Sequence, residues 1–218
     1  MRWLLRAAAV LAGVLLMTGT SEARTGLLDA AGRGDLAAVN RLIAAGADLE
    51  ARDGQRQTPL LLAVAGNHVA IAKALLAAGA SPNAQAANQD TPWLLAGASG
   101  RTEIIAAMLP LKPDLTIRNR YGGNALIPAC ERAHVETAKL LLTSGIDVNH
   151  VNNLGWTCLL EIVILGDGGP RHREVARLVL DAGADPNLAD KDGVSPLQHA
   201  RKRGQSEVAK LIAAAGGR

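Results

Sequence analysis

The chain matches itself when it is shifted by 33 residues. "TPLLLAVAGNHVAIAKALLAAGASPN" starts at Thr58, "TPWLLAGASGRTEIIAAMLP" at Thr91, "NALIPACERAHVETAKLLLTSGIDVN" at Asn124 and "TCLLEIVIL" at Thr157, with 33 residues between successive starts. One step back lands on Thr25, which opens "TGLLDAAGRGDLAAVNRLIAAGADLE". The step forward to Ser195, in "SPLQHARKRGQSEVAKLIAAAG", takes 38 residues. Repetition at this period predicts an all-α repeat solenoid, in which a unit buries its apolar faces only against its neighbours. The six units fall at about 25–52, 53–85, 86–118, 119–151, 152–189 and 190–218.

Each unit has the same internal order. Thr or Ser followed by Pro, at 58–59, 91–92 and 195–196, is an N-cap with proline at the first helical position. A short apolar helix follows, then a break such as Gly66-Asn67-His68. A second helix ends at Gly46, Gly79, Gly145 or Gly183, residues suited to the left-handed position after a helix. The Asn-, Asp- and Gly-rich stretches that follow ("ADLEARDGQ", "IDVNHVNNLG", "ADPNLADKDG") read as turns projecting from the stack. In the third unit Lys112 and Pro113 break the pattern, and the second helix is expected to stop at Pro110.

The N-terminus reads differently. Arg2 and Arg6 flank and precede an apolar run over 7–17, and Ser21-Glu22-Ala23 is a small-x-small pattern. This is the build of a secretory signal peptide, residues 1–23, cut after Ala23, and it places the mature chain in the periplasm or outside the cell. A retained anchor is the other reading of the same segment. Cleavage leaves 21 basic and 19 acidic residues, a net charge of +2, without the concentrated Lys/Arg stripe that nucleic-acid binding needs. There is no Phe, and the mature aromatics are Trp93, Tyr121 and Trp156, a composition suited to thin stacked helices.

These motifs resemble the ankyrin repeat: T-P-L at the start of a unit, a small residue and His between its helices (Ala133-His134), and G-A-D-x-N after the second helix. The resemblance covers residues 25–218 and extends to exported bacterial ankyrin-repeat proteins. It implies a monomeric, non-enzymatic scaffold that binds a protein partner and carries no cofactor. The His that the family places after T-P-L is replaced by Leu61, Leu94, Ile127, Leu160 and Gln198, which predicts looser turns. The first and last units read as caps with a polar outer face.

Candidate chemistry is sparse. His68, His134 and His172 share one position between the helices of their units, where a ring nitrogen is expected to bind backbone. No HExxH or CxxC pattern supports a metal site, and no Ser-His-Asp grouping supports nucleophilic catalysis. Glu131 and Glu161 read as solvated surface acids. Cys130 lies six residues after its unit's start and Cys158 one after its own. Five residues along a helix span about 7.5 Å, and packed helices sit roughly 8–10 Å apart. The separation therefore exceeds the ~7 Å limit for a bridge, and no disulfide is expected: Cys130 and Cys158 read as free, buried thiols.

By the family pattern, the partner meets the turns and the exposed end of the first helices. In units four to six this gives Arg120, Tyr121, Glu131, Arg132, Leu154, Trp156, Ile164, Val194 and Lys202. The matching residues of units two and three, among them Gln55, Gln57, Asn88 and Asp90, are small and polar. Tyr121 and Trp156 sit on neighbouring turns and either form one contact patch or pack turn against turn, while Trp93 reads as core. The Gly-rich stretch at 166–173 accounts for the 38-residue spacing through five inserted residues, 166–170, with the helix resuming at Glu174. Two uses stay open for it, a structural elaboration or a small-anion or ligand site. An accessory role in envelope stress defence is a further alternative.

Overall fold

Local hydrogen bonds at the start of each unit set the fold in motion. The side-chain oxygens of Thr58, Thr91 and Thr157 accept from the backbone N–H groups of Leu61, Leu94 and Leu160 at 3.1–3.2 Å. Asn124 does the same for Leu126 and Ile127, and Ser195 forms a reciprocal capping box with Gln198. Each cap satisfies N–H groups that a helix start leaves without partners. A computed structural model describes residues 26–218. The expected signal peptide lies outside the described residues.

Twelve helices among the described residues form six antiparallel pairs: α1 (26–33) with α2 (Leu36–Ala44), α3 (Pro59–Ala65) with α4 (Val69–Ala77), and α5 (Pro92–Ala98) with α6 (Thr102–Met108). The remaining pairs are α7 (Leu126–Glu131) with α8 (Val135–Leu142), α9 (Cys158–Ile164) with α10 (Pro170–Asp181), and α11 (Pro196–Lys202) with α12 (Ser206–Ala214). First helices pack on first helices and second on second, from one end of the stack to the other. The core is one continuous apolar layer from Leu27 to Ile212. Trp93 fills it at 2% exposure, as its place in the repeat predicts.

The described residues contain no strand, and the projecting loops are turns rather than ladders. Two backbone hydrogen bonds close each: in unit four the N–H of Asn119 donates to Gly123 at 3.0 Å and that of Gly122 to Asn119 at 2.8 Å, and in unit five Asn152 donates to Trp156 at 3.0 Å and Gly155 to Asn152 at 2.9 Å. The turns are not loosened by the missing histidines. A single oxygen of Asp53, Asn119, Asn152 or Asp190 accepts from two N–H groups of its own turn, which pins the loop from within. The fourth position of every such turn is left-handed. Units four, five and six place Gly122, Gly155 and Gly193 there, whereas units two and three place Arg56 (φ 58°) and Gln89 (φ 66°).

In the third unit α6 ends at Met108, a 3-10 turn covers Leu109–Leu111, and Lys112 takes the left-handed role of the usual glycine. The break before Pro110 follows the sequence. The insertion in unit five departs from it. Pro170 is already the first residue of α10, so the helix does not wait until Glu174 but gains a turn at its start. Proline favours that position because its fixed φ is helical and its missing N–H costs nothing there. Only the residues up to Gly169 remain as linker.

The cysteines are joined, contrary to the expectation of free thiols. Cys130 at the end of α7 and Cys158 at the start of α9 form a disulfide with their Cα atoms 5.5 Å apart, and both are buried. Helices of adjacent units are staggered so that the last turn of one faces the first residue of the next, which cancels the axial offset assumed from register. The same pair of positions meets one interface earlier, where a Cβ added to Gly97 would lie 2.5 Å from the carbonyl oxygen of Ala125. Cys158 stands where units two, three and six have proline.

Candidate functional site

The helix starts show how the stack is registered. His68 reaches the carbonyl of Gly32 at 3.2 Å and His172 that of Glu131 at 2.9 Å, each bridging from its second helix to the first helix of the preceding unit. His134 bonds the carbonyl of Ala98, and burial depresses its basicity. Arg101 and Gln205 take over the task in units three and six, with the carbonyls of Ala65 and Val163. These groups are structural, as their shared position suggests.

The Gly-rich loop is likewise occupied by its own side chains. Asp167 accepts from the N–H of Gly169 at 2.8 Å and pairs with the ring of His172 at 2.7 Å; the Gly169 N–H, then the His172 bond, hold its pKa below the usual carboxylate value. A carboxylate thus fills the place beside the start of α10 that an external anion would take. Among the described residues no group of His, Cys, Asp and Glu has the makings of a metal site, and no helix is long and apolar enough to cross a membrane.

The concave side between units four and five is different. A cleft of about 300 Å³ opens between α7 and α9 beneath the turns. Of the residues marked by sequence, Arg120, Tyr121, Glu131, Arg132 and Leu154 line it. Trp156, Ile164, Val194 and Lys202 are not among its lining. Trp156 and Ile164 are half-buried and pack against the core, so Tyr121 shares the cleft with Leu154 rather than with Trp156. Tyr121 is 54% exposed, Leu154 51% and Leu165 48%, an apolar rim around the opening. The guanidinium of Arg120 sits 4.6 Å over the Tyr121 ring and 3.8 Å from Asp90 of the preceding turn.

The floor of the cleft corrects one expectation. Glu161 is not a solvated surface acid; it is 4% exposed. Its Oε1 accepts from the Asn152 side-chain amide at 2.8 Å. Burial first, and the neighbouring Glu131 second, push its pKa up to about 7. The stagger that joins the cysteines also explains this pair, because it brings the end of α7 beside the first turns of α9. The repeat carried no clear signal for it: the position of Glu161 is held by part-buried Leu62 and Leu95 in units two and three and by the exposed Asp29 in unit one.

Comparison with known proteins follows the same outline. A family model described as ankyrin repeats (three copies) matches residues 9–86, 27–119, 67–152, 96–190 and 129–217. The chain belongs to the ankyrin-repeat family. The crystal structure of an ankyrin repeat domain from Acinetobacter baumannii AYE superimposes with a TM-score of 0.85 at 47% identity, covering 88% of this chain and 98% of that one. The ankyrin repeat protein YahD of Escherichia coli (strain K12) is 48% identical over 110 residues, which is 50% of this chain and 55% of YahD. The matched segment therefore spans about half the length of that relative. Cyclin-dependent kinase 4 inhibitor B of Bos taurus is 34% identical over 99 residues, 44% of this chain and 71% of the inhibitor. Ankyrin repeats are in general a non-enzymatic fold that binds protein partners.

Proposed function

We propose that this ankyrin-repeat protein is an exported scaffold that binds a protein partner through the concave face of units four and five. The observation that carries the reading is the cleft between α7 and α9, where a half-exposed tyrosine and two half-exposed leucines surround a depression in an otherwise polar face. Aromatic and aliphatic groups that can be desolvated in a pocket supply most of the energy of protein interfaces. The corresponding tips in units two and three, Gln55 and Asn88, offer none. Export is supported by the charged-apolar-small pattern of residues 1–23 and by the disulfide, since such bonds persist in oxidising compartments.

Replacing both Tyr121 and Leu154 by alanine is expected to weaken the binding of a partner first identified with a photocrosslinker at position 165 on the cleft rim by roughly 10- to 100-fold, with helical content unchanged. Equal binding by both forms overturns the surface assignment. N-terminal sequencing of the protein from a periplasmic extract is expected to begin at Arg24. A chain recovered with residues 1–23 still attached, and in the cytosol, overturns the export reading.

A further inference from the structure

The cleft has an apolar rim and an acidic floor, and the floor has no counterion among the described residues. Among the described residues no Lys, Arg or His nitrogen pairs with Glu131 or Glu161, although ion pairs occur elsewhere along the stack. The two arginines that line the cleft are engaged otherwise: Arg120 over Tyr121 and toward Asp90, and Arg132 with the carbonyl of Ala98 at 2.8 Å. Asn152 satisfies only Oε1 of Glu161. Oε2 of this 4%-exposed side chain has no hydrogen-bond partner among the described residues, and the side chain lines the cleft. A buried carboxylate facing a second one is costly unless a cation or a proton neutralises it.

Resting on the reading of this face as the partner interface, we infer that the cleft receives a cationic side chain on a long aliphatic stem, a lysine or arginine of the partner. The stem packs between Tyr121, Leu154 and Leu165, and the head group reaches Glu131 and the free oxygen of Glu161. Such side chains bury their methylenes along apolar surface and keep the charge for a polar end, which is the distribution the cleft offers in mirror image. The volume of about 300 Å³ accommodates one side chain rather than a folded element. Charge complementarity at the floor favours a basic over an acidic side chain there, so the same two carboxylates contribute selectivity.

The test titrates the ¹⁵N-labelled protein with the peptide acetyl-Ser-Leu-Lys-Leu-Ser-amide and its arginine and norleucine versions, following amides of α7, α9 and the two turns by NMR. The lysine and arginine peptides are expected to shift these signals with Kd values roughly tenfold or more below that of the norleucine peptide. E131Q and E161Q, singly and together, are expected to remove that preference while leaving the norleucine response in place. A norleucine peptide that binds as well as the cationic ones overturns the inference but leaves the cleft as a docking surface. So does a cationic preference that survives E131Q/E161Q. Shifts from none of the peptides overturn both.

Discussion

The interface between units two and three and the interface between units four and five share one frame and differ in what fills it. Both begin with a threonine or asparagine cap, stack first helix on first helix, and close their turns with two backbone bonds. At the first, the positions corresponding to the two cysteines hold Val64 and Pro92, and the turn tips are Gln55 and Asn88. At the second, the same contact is a disulfide, the tips are Tyr121 and Leu154, and a buried acid replaces a leucine. The departures concentrate where the cleft is. A repeat supplies shape at many places, and a few substitutions at one interface turn shape into a site.

Four sets of substitutions sharpen this contrast. Trp93→Ala, in the plain part of the stack, is expected to cost about 3–5 kcal/mol in urea denaturation, a core effect with no consequence specific to the cleft. Replacing Cys130 and Cys158 by serine is expected to cost about 3–4 kcal/mol, from the chain entropy released over a 28-residue loop. Hydrogen exchange should then rise in α7 and α9 and stay unchanged in α3; a uniform rise would mean that the bond serves the whole stack.

Glu161→Gln should act through pH. The native state holds the Glu161 proton up to about pH 7, while the unfolded chain releases it near 4.5, so stability falls as pH rises across that window and is level above it. The glutamine variant is expected to flatten this slope and to gain about 1–3 kcal/mol over the parent at pH 8. An unchanged slope would remove Glu161 from the buried floor. Smallest of all, Tyr121→Ala and Leu154→Ala should each move stability by no more than about 0.5 kcal/mol, because both residues are half in solvent. A larger loss would make the rim a packing element rather than a docking one.

The frame of the molecule was legible in sequence because it is written several times. Proline after a threonine cap, glycine after a second helix and the 33-residue spacing each recur, and they fixed helices, breaks and register, including the early end of α6 before Pro110. The site was legible in part. Tyr121, Leu154, Glu131, Arg120 and Arg132 came from their place in the repeat, and the structure sets all five around one cleft. What sequence missed depends on the stagger of adjacent helices, which no period reveals. It joined Cys130 to Cys158 and placed Glu161 beside Glu131, where a straight parallel stacking kept each pair apart. Of the two placements the sequence left open for Trp156, the structure shows packing against the core, outside the cleft.

The bridge from His172 to the carbonyl of Glu131 spans 41 residues, whereas His68 reaches Gly32 across 36. The insertion has lengthened the path without moving either end. The stack therefore measures its spacing by side-chain reach across an interface and not by counting residues along the chain. Whatever is spliced between Leu165 and Pro170 leaves the ruler intact, so an epitope, a fluorophore tag or a second recognition loop could be carried there while the concave face keeps its shape.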